Sequence, residues 1–193
     1  MRAAGDGASV GLVAGRAPPP AVARPDPTHH RPDPACEEAP VDVQLETEPD
    51  RLVAVLREKV AMDRLPEFYD RAYRAVGEAV AQAGGAVAGP ALGWYHGGPS
   101  ATVDVAAGLP VIGMSTGSIG GGVHVVRIPG GSAVTAVHTG PYDGLPAAWQ
   151  ELESWRAANA GAGRGDFWEE YVSDPSPGGD PELTETRLVL PLA

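Results

Sequence analysis

Cysteine is nearly absent from this chain, positive charge is scarce and no apolar run is long. The single Cys36 among 193 residues has no partner for an internal disulfide, and no Cys-x-x-Cys or His/Cys grouping has zinc-ligand spacing. Such usage fits a reducing cytoplasm and implies neither a metal nor another cofactor. Fourteen Lys and Arg stand against 25 Asp and Glu, a net charge of -11; a surface of that sign repels phosphate backbones, and no basic face offsets it. Charge or Gly-Pro interrupts every apolar stretch short of the roughly 18 residues of a membrane span. The first 15 residues lack a compact apolar run behind a basic start, so they do not read as a secretory signal.

Aromatic residues are missing from residues 1–40, which hold 8 of the 20 prolines and none of the 11 Phe, Trp and Tyr. A segment of that composition buries too little apolar surface to offset its ordering entropy, and it reads as a disordered Pro/Ala-rich tail. His29, His30 and Cys36 fall in it as solvated spacer. With four arginines and five acidic residues there, -10 of the net charge belongs to residues 41–193, the expected domain.

From Val41 the pattern becomes periodic. Val41, Val43 and Leu45 alternate with polar residues, and Leu52–Leu56 is an apolar run inside a strand from Arg51 to Val60, so a strand pair is expected to open the domain. Leu65, Tyr69, Ala72, Tyr73, Val76 and Val80 recur at helical spacing, with Pro66 in the first turn and Gly84-Gly85 ending the helix. Leu92–His96 and Ala101–Val105 read as strands about a Gly-Gly-Pro-Ser turn. Gly113–Gly122 lacks the Lys-Ser/Thr ending of a phosphate loop and reads as a linker. Strands over 123–128 and 133–138, a helix over 145–158 and strands over 166–172 and 186–190 complete the chain.

The second series repeats the first. Leu65-Pro66 and Leu145-Pro146 lie 80 apart, as do Tyr69 and Trp149; Tyr95 and Tyr171, Pro99 and Pro175, and Asp104 and Asp180 lie 76 apart. A second helix four residues shorter accounts for the difference. The expected fold is therefore α+β: duplicated βαββ units, in halves about 41–110 and 123–193, forming a pseudo-two-fold domain with antiparallel sheets, two main helices and a ligand cleft between the halves.

Phe167-Trp168-Glu169-Glu170-Tyr171 is the most informative segment. Strand alternation puts Phe167, Glu169 and Tyr171 on one face and Trp168 and Glu170 on the other. A carboxylate between aromatics either faces water or awaits a cation, because burying it alone is costly. One reading is a half-exposed strand with Glu169 or Glu170 in solvent; the other is a cation-selecting pocket with Glu169 as counter-charge and Tyr171, Tyr95 or a Trp ring as stacking surface. His96, His124 and His138 read as structural residues, Asp143 as the cap of the second helix, and Ser115 and Ser118 lack the Gly-x-Ser-x-Gly context of a hydrolase.

His138-Thr-Gly-Pro-Tyr-Asp-Gly-Leu145, Ala148-Trp149, Leu152, Trp155, Trp168–Pro175 and Thr186–Pro191, together with Gly89-Pro90, Tyr95-His96 and Asp104-Val105, resemble the GyrI-like effector-binding domain over roughly residues 41–193. That family supplies ligand-binding portions of AraC-type and MerR-type regulators, including multidrug sensors linked to drug resistance, and stand-alone proteins named after a gyrase inhibitor. The resemblance implies that Glu169 meets lipophilic cations. Tyr171, Tyr95, Trp94, Trp149, Tyr142 and Phe167 would line the ligand. Some stand-alone members hydrolyse cyclopropane-bearing alkylating compounds with a Glu and a Tyr, which would assign Glu169 and Tyr171 or Tyr95 here.

Residues 1–40 cannot hold a helix-turn-helix, so the expectation is a stand-alone domain without direct DNA binding. It would take a hydrophobic, cationic or aromatic small molecule for sensing or sequestration. The alternatives are a hydrolase, or a protein-interaction inhibitor of a topoisomerase acting through a protein partner.

Overall fold

The computed structural model describes residues 42–98, 100–173 and 180–193. The tail expected over residues 1–40 and the Pro99/Pro175 correspondence lie outside them. Among the described residues, ten strands form one antiparallel system with two main helices. In chain order these are β1 (Gln44–Glu48), β2 (Arg51–Ala61), α1 (Leu65–Gln82), β3 (Ala86–Val87), β4 (Ala91–His96), β5 (Thr102–Ile112), β6 (Gly117–Gly120), β7 (Val123–Ile128), β8 (Gly131–Thr139), α2 (Leu145–Asn159), β9 (Asp166–Tyr171) and β10 (Glu185–Pro191). The sheet runs β1-β8-β10-β9-β4-β5-β2-β7-β6, with β3 beside β5. The order strand, helix, strand, strand occurs as β2-α1-β4-β5 and as β8-α2-β9-β10, with β9 and β4 adjacent where the two series meet.

Each helix covers the outer strands of its own series. On α1, Phe68, Ala72, Val76, Ala79 and Val80 form the buried stripe, packed on Ala54 of β2 and on Val103, Val105, Ala107 and Val111 of β5. Gly84, at φ +73°, ends it: Gly84 N–H donates to Ala81 and Gly85 N–H to Val80, satisfying carbonyls the last turn leaves open. On α2, Leu145, Ala148 and Leu152 pack on Val134 and Ala136 of β8 and Leu188 and Leu190 of β10. The opposite sheet face carries its own cluster, Val53, Val55, Leu92, Ala106, Ile128, Ala133, Trp168 and Val189. Burying a side chain of this kind is worth about 1.5–3 kcal/mol, so both faces contribute to the core.

Three local expectations need correction. β1 does not pair with β2: it lies at the sheet edge beside β8, while β2 lies between β5 and β7. The Pro49-Asp50 and Pro129-Gly130 connections lie against each other, and Gly130 N–H donates to Asp50 Oδ1 at 2.7 Å. The Gly113–Gly122 stretch contains β6, an edge strand on β7 with a register shift between Ser118 and Gly120. Finally, Asp143 does not cap α2: a short 3-10 turn over Tyr142–Gly144 places Gly144 at the cap, without a side-chain bond.

Candidate functional site

Because α1 lies over β2 and β5 and α2 over β8, the two middle strands form the floor of a groove between the helices. The register pairs Gly93 with Glu169, Tyr95 with Phe167 and Ala91 with Tyr171. Alternation turns these side chains toward the helices.

Glu169 is the centre of the floor and is only 6% exposed. Trp149 Nε1, from α2, donates to Oε1 at 2.8 Å. Tyr171 and Tyr95 both donate hydroxyl protons to Oε2, at 2.9 and 3.1 Å. With its proton committed to Glu169, Tyr95 can accept from the Tyr69 hydroxyl, 2.8 Å away. The tyrosine hydroxyls stay protonated: burial first, and then the Glu169 charge, push Tyr69 up to about 12 and raise Tyr95 and Tyr171 as well. Burial likewise raises the Glu169 carboxyl, against the three hydrogen bonds that favour its charged form. Among the described residues, no Arg, Lys or His forms an ion pair with it. The carboxyl group is hydrogen-bonded on both oxygens but has no counter-charge among the described residues.

Aromatic rings surround that charge. Tyr95 stacks on Phe167 with centroids 4.9 Å apart, and Trp149 meets Phe167 edge-on at 4.7 Å. Tyr69 stacks on Tyr73 at 5.5 Å, and both present to Tyr171 in T-shaped contacts, as does Tyr142 at 5.7 Å. Most of these rings are half-buried and Tyr142 is 44% exposed, so the cluster is open to solvent above a buried acid.

The structure therefore brings together Glu169, Tyr171, Tyr95, Trp149, Phe167 and Tyr142. It does not bring Trp94 to them. Trp94 is on the other face of β4, packed against the reverse cluster, with Nε1 donating to Asp166 Oδ2 at 2.8 Å and its ring centroid 4.2 Å from that of His96. Tyr69 and Tyr73 of α1 belong to the cluster although their spacing reads only as a helix stripe. The signal for Tyr69 was its correspondence with Trp149, 80 residues on, since both reach the floor from equivalent helices. His138 is structural: its Nε2 lies 3.1 Å from the Pro141 carbonyl.

Glu170, one residue on, is also buried but belongs to the reverse face. Arg51 binds its Oε1 at 2.5 Å, Trp168 Nε1 donates to the same oxygen at 2.9 Å, and Arg187 reaches Oε2 at 3.3 Å. Arg51 and Arg187 also pair with Glu48, and Arg187 with Glu46 at 2.7 Å. Here two guanidinium groups answer the carboxylates. Among the described residues, no cluster of three or more His, Cys, Asp or Glu is placed to hold a metal ion, and no helix is long and apolar enough to cross a membrane.

Residues 41–193 match the family model of the GyrI-like small molecule binding domain. No curated protein sequence matches the chain. Among solved structures, the C-terminal domain of EcmrR is similar at TM-score 0.68 and 23% identity, over 78% of this chain and 96% of that one. Against EcmrR in its complex with DNA, the match spans 57% of the longer chain, so this chain covers little more than half of that protein. A protein described as a hydrolase from Listeria innocua is similar at TM-score 0.55 and 17% identity, over 78% of this chain and 91% of that one. SAV2435 bound to tetraphenylphosphonium is similar at TM-score 0.59 and 13% identity, over 79% and 94%. At these identities the likenesses establish the fold.

Proposed function

The chain belongs to the GyrI-like small-molecule-binding family, and from that premise we propose that its Glu169 site takes hydrophobic cations, for sensing or sequestration. The observation that carries this reading is a buried carboxylate with three neutral hydrogen-bond donors, no cationic partner among the described residues, and a ring of half-buried aromatics. A ligand that brings positive charge on an apolar body removes the cost of the lone charge and gains ring contact. Cation–aromatic contact is worth about 0.5–2 kcal/mol per ring. A hydrophilic cation gains the charge but loses its hydration. The similar fold of a protein bound to tetraphenylphosphonium supports choosing that compound as a probe.

The test is thermal unfolding of the full chain with tetraphenylphosphonium and with planar cationic drugs, followed by mass spectrometry of each stabilising compound. Stabilisation by a compound recovered unchanged, and lost in Glu169→Gln, supports the proposal. Equal stabilisation of both proteins overturns it.

A second reading is hydrolysis of strained alkylating compounds. It is favoured by one feature: both tyrosine hydroxyls meet the same Glu169 oxygen, beside a carboxyl raised by burial. Glu169 would take a proton from water as the water oxygen bonds to a cyclopropane carbon and the ring C–C bond breaks; the electron pair of that bond would pass to a conjugated carbonyl oxygen, held by a tyrosine hydroxyl and finally protonated, so that one water is added overall. Recovery of a cyclopropane-bearing compound with one water added would select this reading.

A further inference from the structure

Gly93 stands directly opposite Glu169 in the β4–β9 register. The 76-residue offset that relates Tyr95 to Tyr171 also relates Gly93 to Glu169. Two positions that are both cross-strand partners and repeat equivalents lie on the pseudo-two-fold between the halves. The hydrogen bonds follow the same relation: the equivalent tyrosines, Tyr95 and Tyr171, converge on one oxygen, Glu169 Oε2. One copy of the axial position thus carries the carboxylate and the other carries no side chain.

Gly93 is buried and does not need a glycine for its backbone angles; the need is spatial. A Cβ added there would overlap the Tyr69 hydroxyl and lie 3.1 Å from the Tyr171 hydroxyl. Both hydroxyls occupy the volume that a second axial side chain would fill. A second carboxylate would also stand beside the first, and like charges at such a spacing do not both ionise.

We infer that Gly93 is a positioning residue of the site: its missing side chain lets the Tyr69 hydroxyl reach Tyr95, completing the Tyr69–Tyr95–Glu169 chain and leaving a single axial charge for a monocation. Its effect on ligand binding rests on the functional reading above; the positioning itself does not. In Gly93→Ala the new methyl displaces the Tyr69 hydroxyl, while in Tyr69→Phe that hydroxyl is gone and the remaining neighbours, the Tyr171 hydroxyl at 3.1 Å and the ring Cζ at 3.2 Å, need give by only a few tenths of an ångström.

The experiment is a double-mutant cycle in the full chain with G93A, Y69F and G93A/Y69F, read by urea unfolding without ligand and by titration with tetraphenylphosphonium. The expected result is a loss of affinity of about tenfold from G93A in the wild-type background and less than about twofold in the Y69F background, with the urea midpoint following the same pattern. Equal losses in both backgrounds overturn the inference. If G93A alone fails to fold, a folded double variant supports it and an unfolded one overturns it. If the wild type does not take tetraphenylphosphonium, the functional reading fails, and the unfolding cycle still decides the role of Gly93.

Discussion

Glu169 and Glu170 are consecutive, equally buried and opposite in circumstance. Glu170 meets Arg51 and Arg187 on the reverse face, whereas Glu169 meets only neutral donors in the groove. Strand alternation alone separates them. The difference teaches that burial of an acid does not identify a site; burial without a counter-charge does. A paired acid on the reverse face ties β1, β2, β9 and β10 together. A buried acid between two helices without a counter-charge is the feature on which the proposed binding of a cation rests.

Breaking the paired member has the largest expected effect. Glu170→Gln leaves two arginines short of a carboxylate, and loss of one partner in a largely buried network costs about 3 kcal/mol. Urea unfolding should report that loss, while tetraphenylphosphonium affinity stays within about twofold of wild type.

The unpaired member should behave in the reverse way. Glu169→Gln is expected to reduce affinity for the cation by about thirtyfold, roughly 2 kcal/mol, without lowering stability at neutral pH. Its sign with pH is defined. Because the folded carboxyl titrates above its unfolded value, the unfolded state releases its proton first, so the wild type loses stability as pH rises from the ordinary carboxylate range through the folded pKa. The glutamine variant lacks that loss. Thermal melts between pH 4 and 8 should show the variant gaining on the wild type as pH increases, and a gap of opposite slope would contradict the burial argument.

Smaller effects sharpen the comparison. Tyr171→Phe and Tyr95→Phe each remove one donor from Oε2, worth about 1 kcal/mol, and should raise the Glu169 pKa further. In both variants the affinity for the cation should therefore begin to fall at a higher pH than in the wild type as the solution is acidified, which titrations across a pH series would show. The smallest effect is expected from salt: the acidic surface should speed capture of a cation, and raising ionic strength from 0.01 to 0.15 M should slow association by a few-fold at most.

Much of this arrangement is legible in the residues. Alternation along 167–171 places Glu169 with Phe167 and Tyr171, and the repeat sets Trp149 and Tyr69 on equivalent helices, with Tyr95 and Tyr171 on equivalent strands. The same alternation separates Trp94 from Tyr95, since adjacent strand residues cannot share a face, and Trp94 accordingly belongs to the reverse cluster. What local pattern does not carry is non-local pairing. β1 reads as a neighbour of β2 because they are consecutive, yet Glu46 and Glu48 find Arg187 beside β8. β6 is hidden by its glycines, four of which between Gly117 and Gly122 have positive φ, and backbone pairing with β7 holds it in the sheet. Tyr73 gives no sequence sign of its place in the groove, because a helical stripe does not reveal which edge of it overhangs an uncovered strand.

The most direct test of an unneutralised acid awaiting a cation compares two ligands of similar shape and different charge. Calorimetric titration of the full chain with methyltriphenylphosphonium and with neutral triphenylphosphine oxide should give at least about tenfold preference for the cation in the wild type and none in Glu169→Gln. Equal affinity for both ligands in the wild type, or a preference that survives in the variant, would contradict the account.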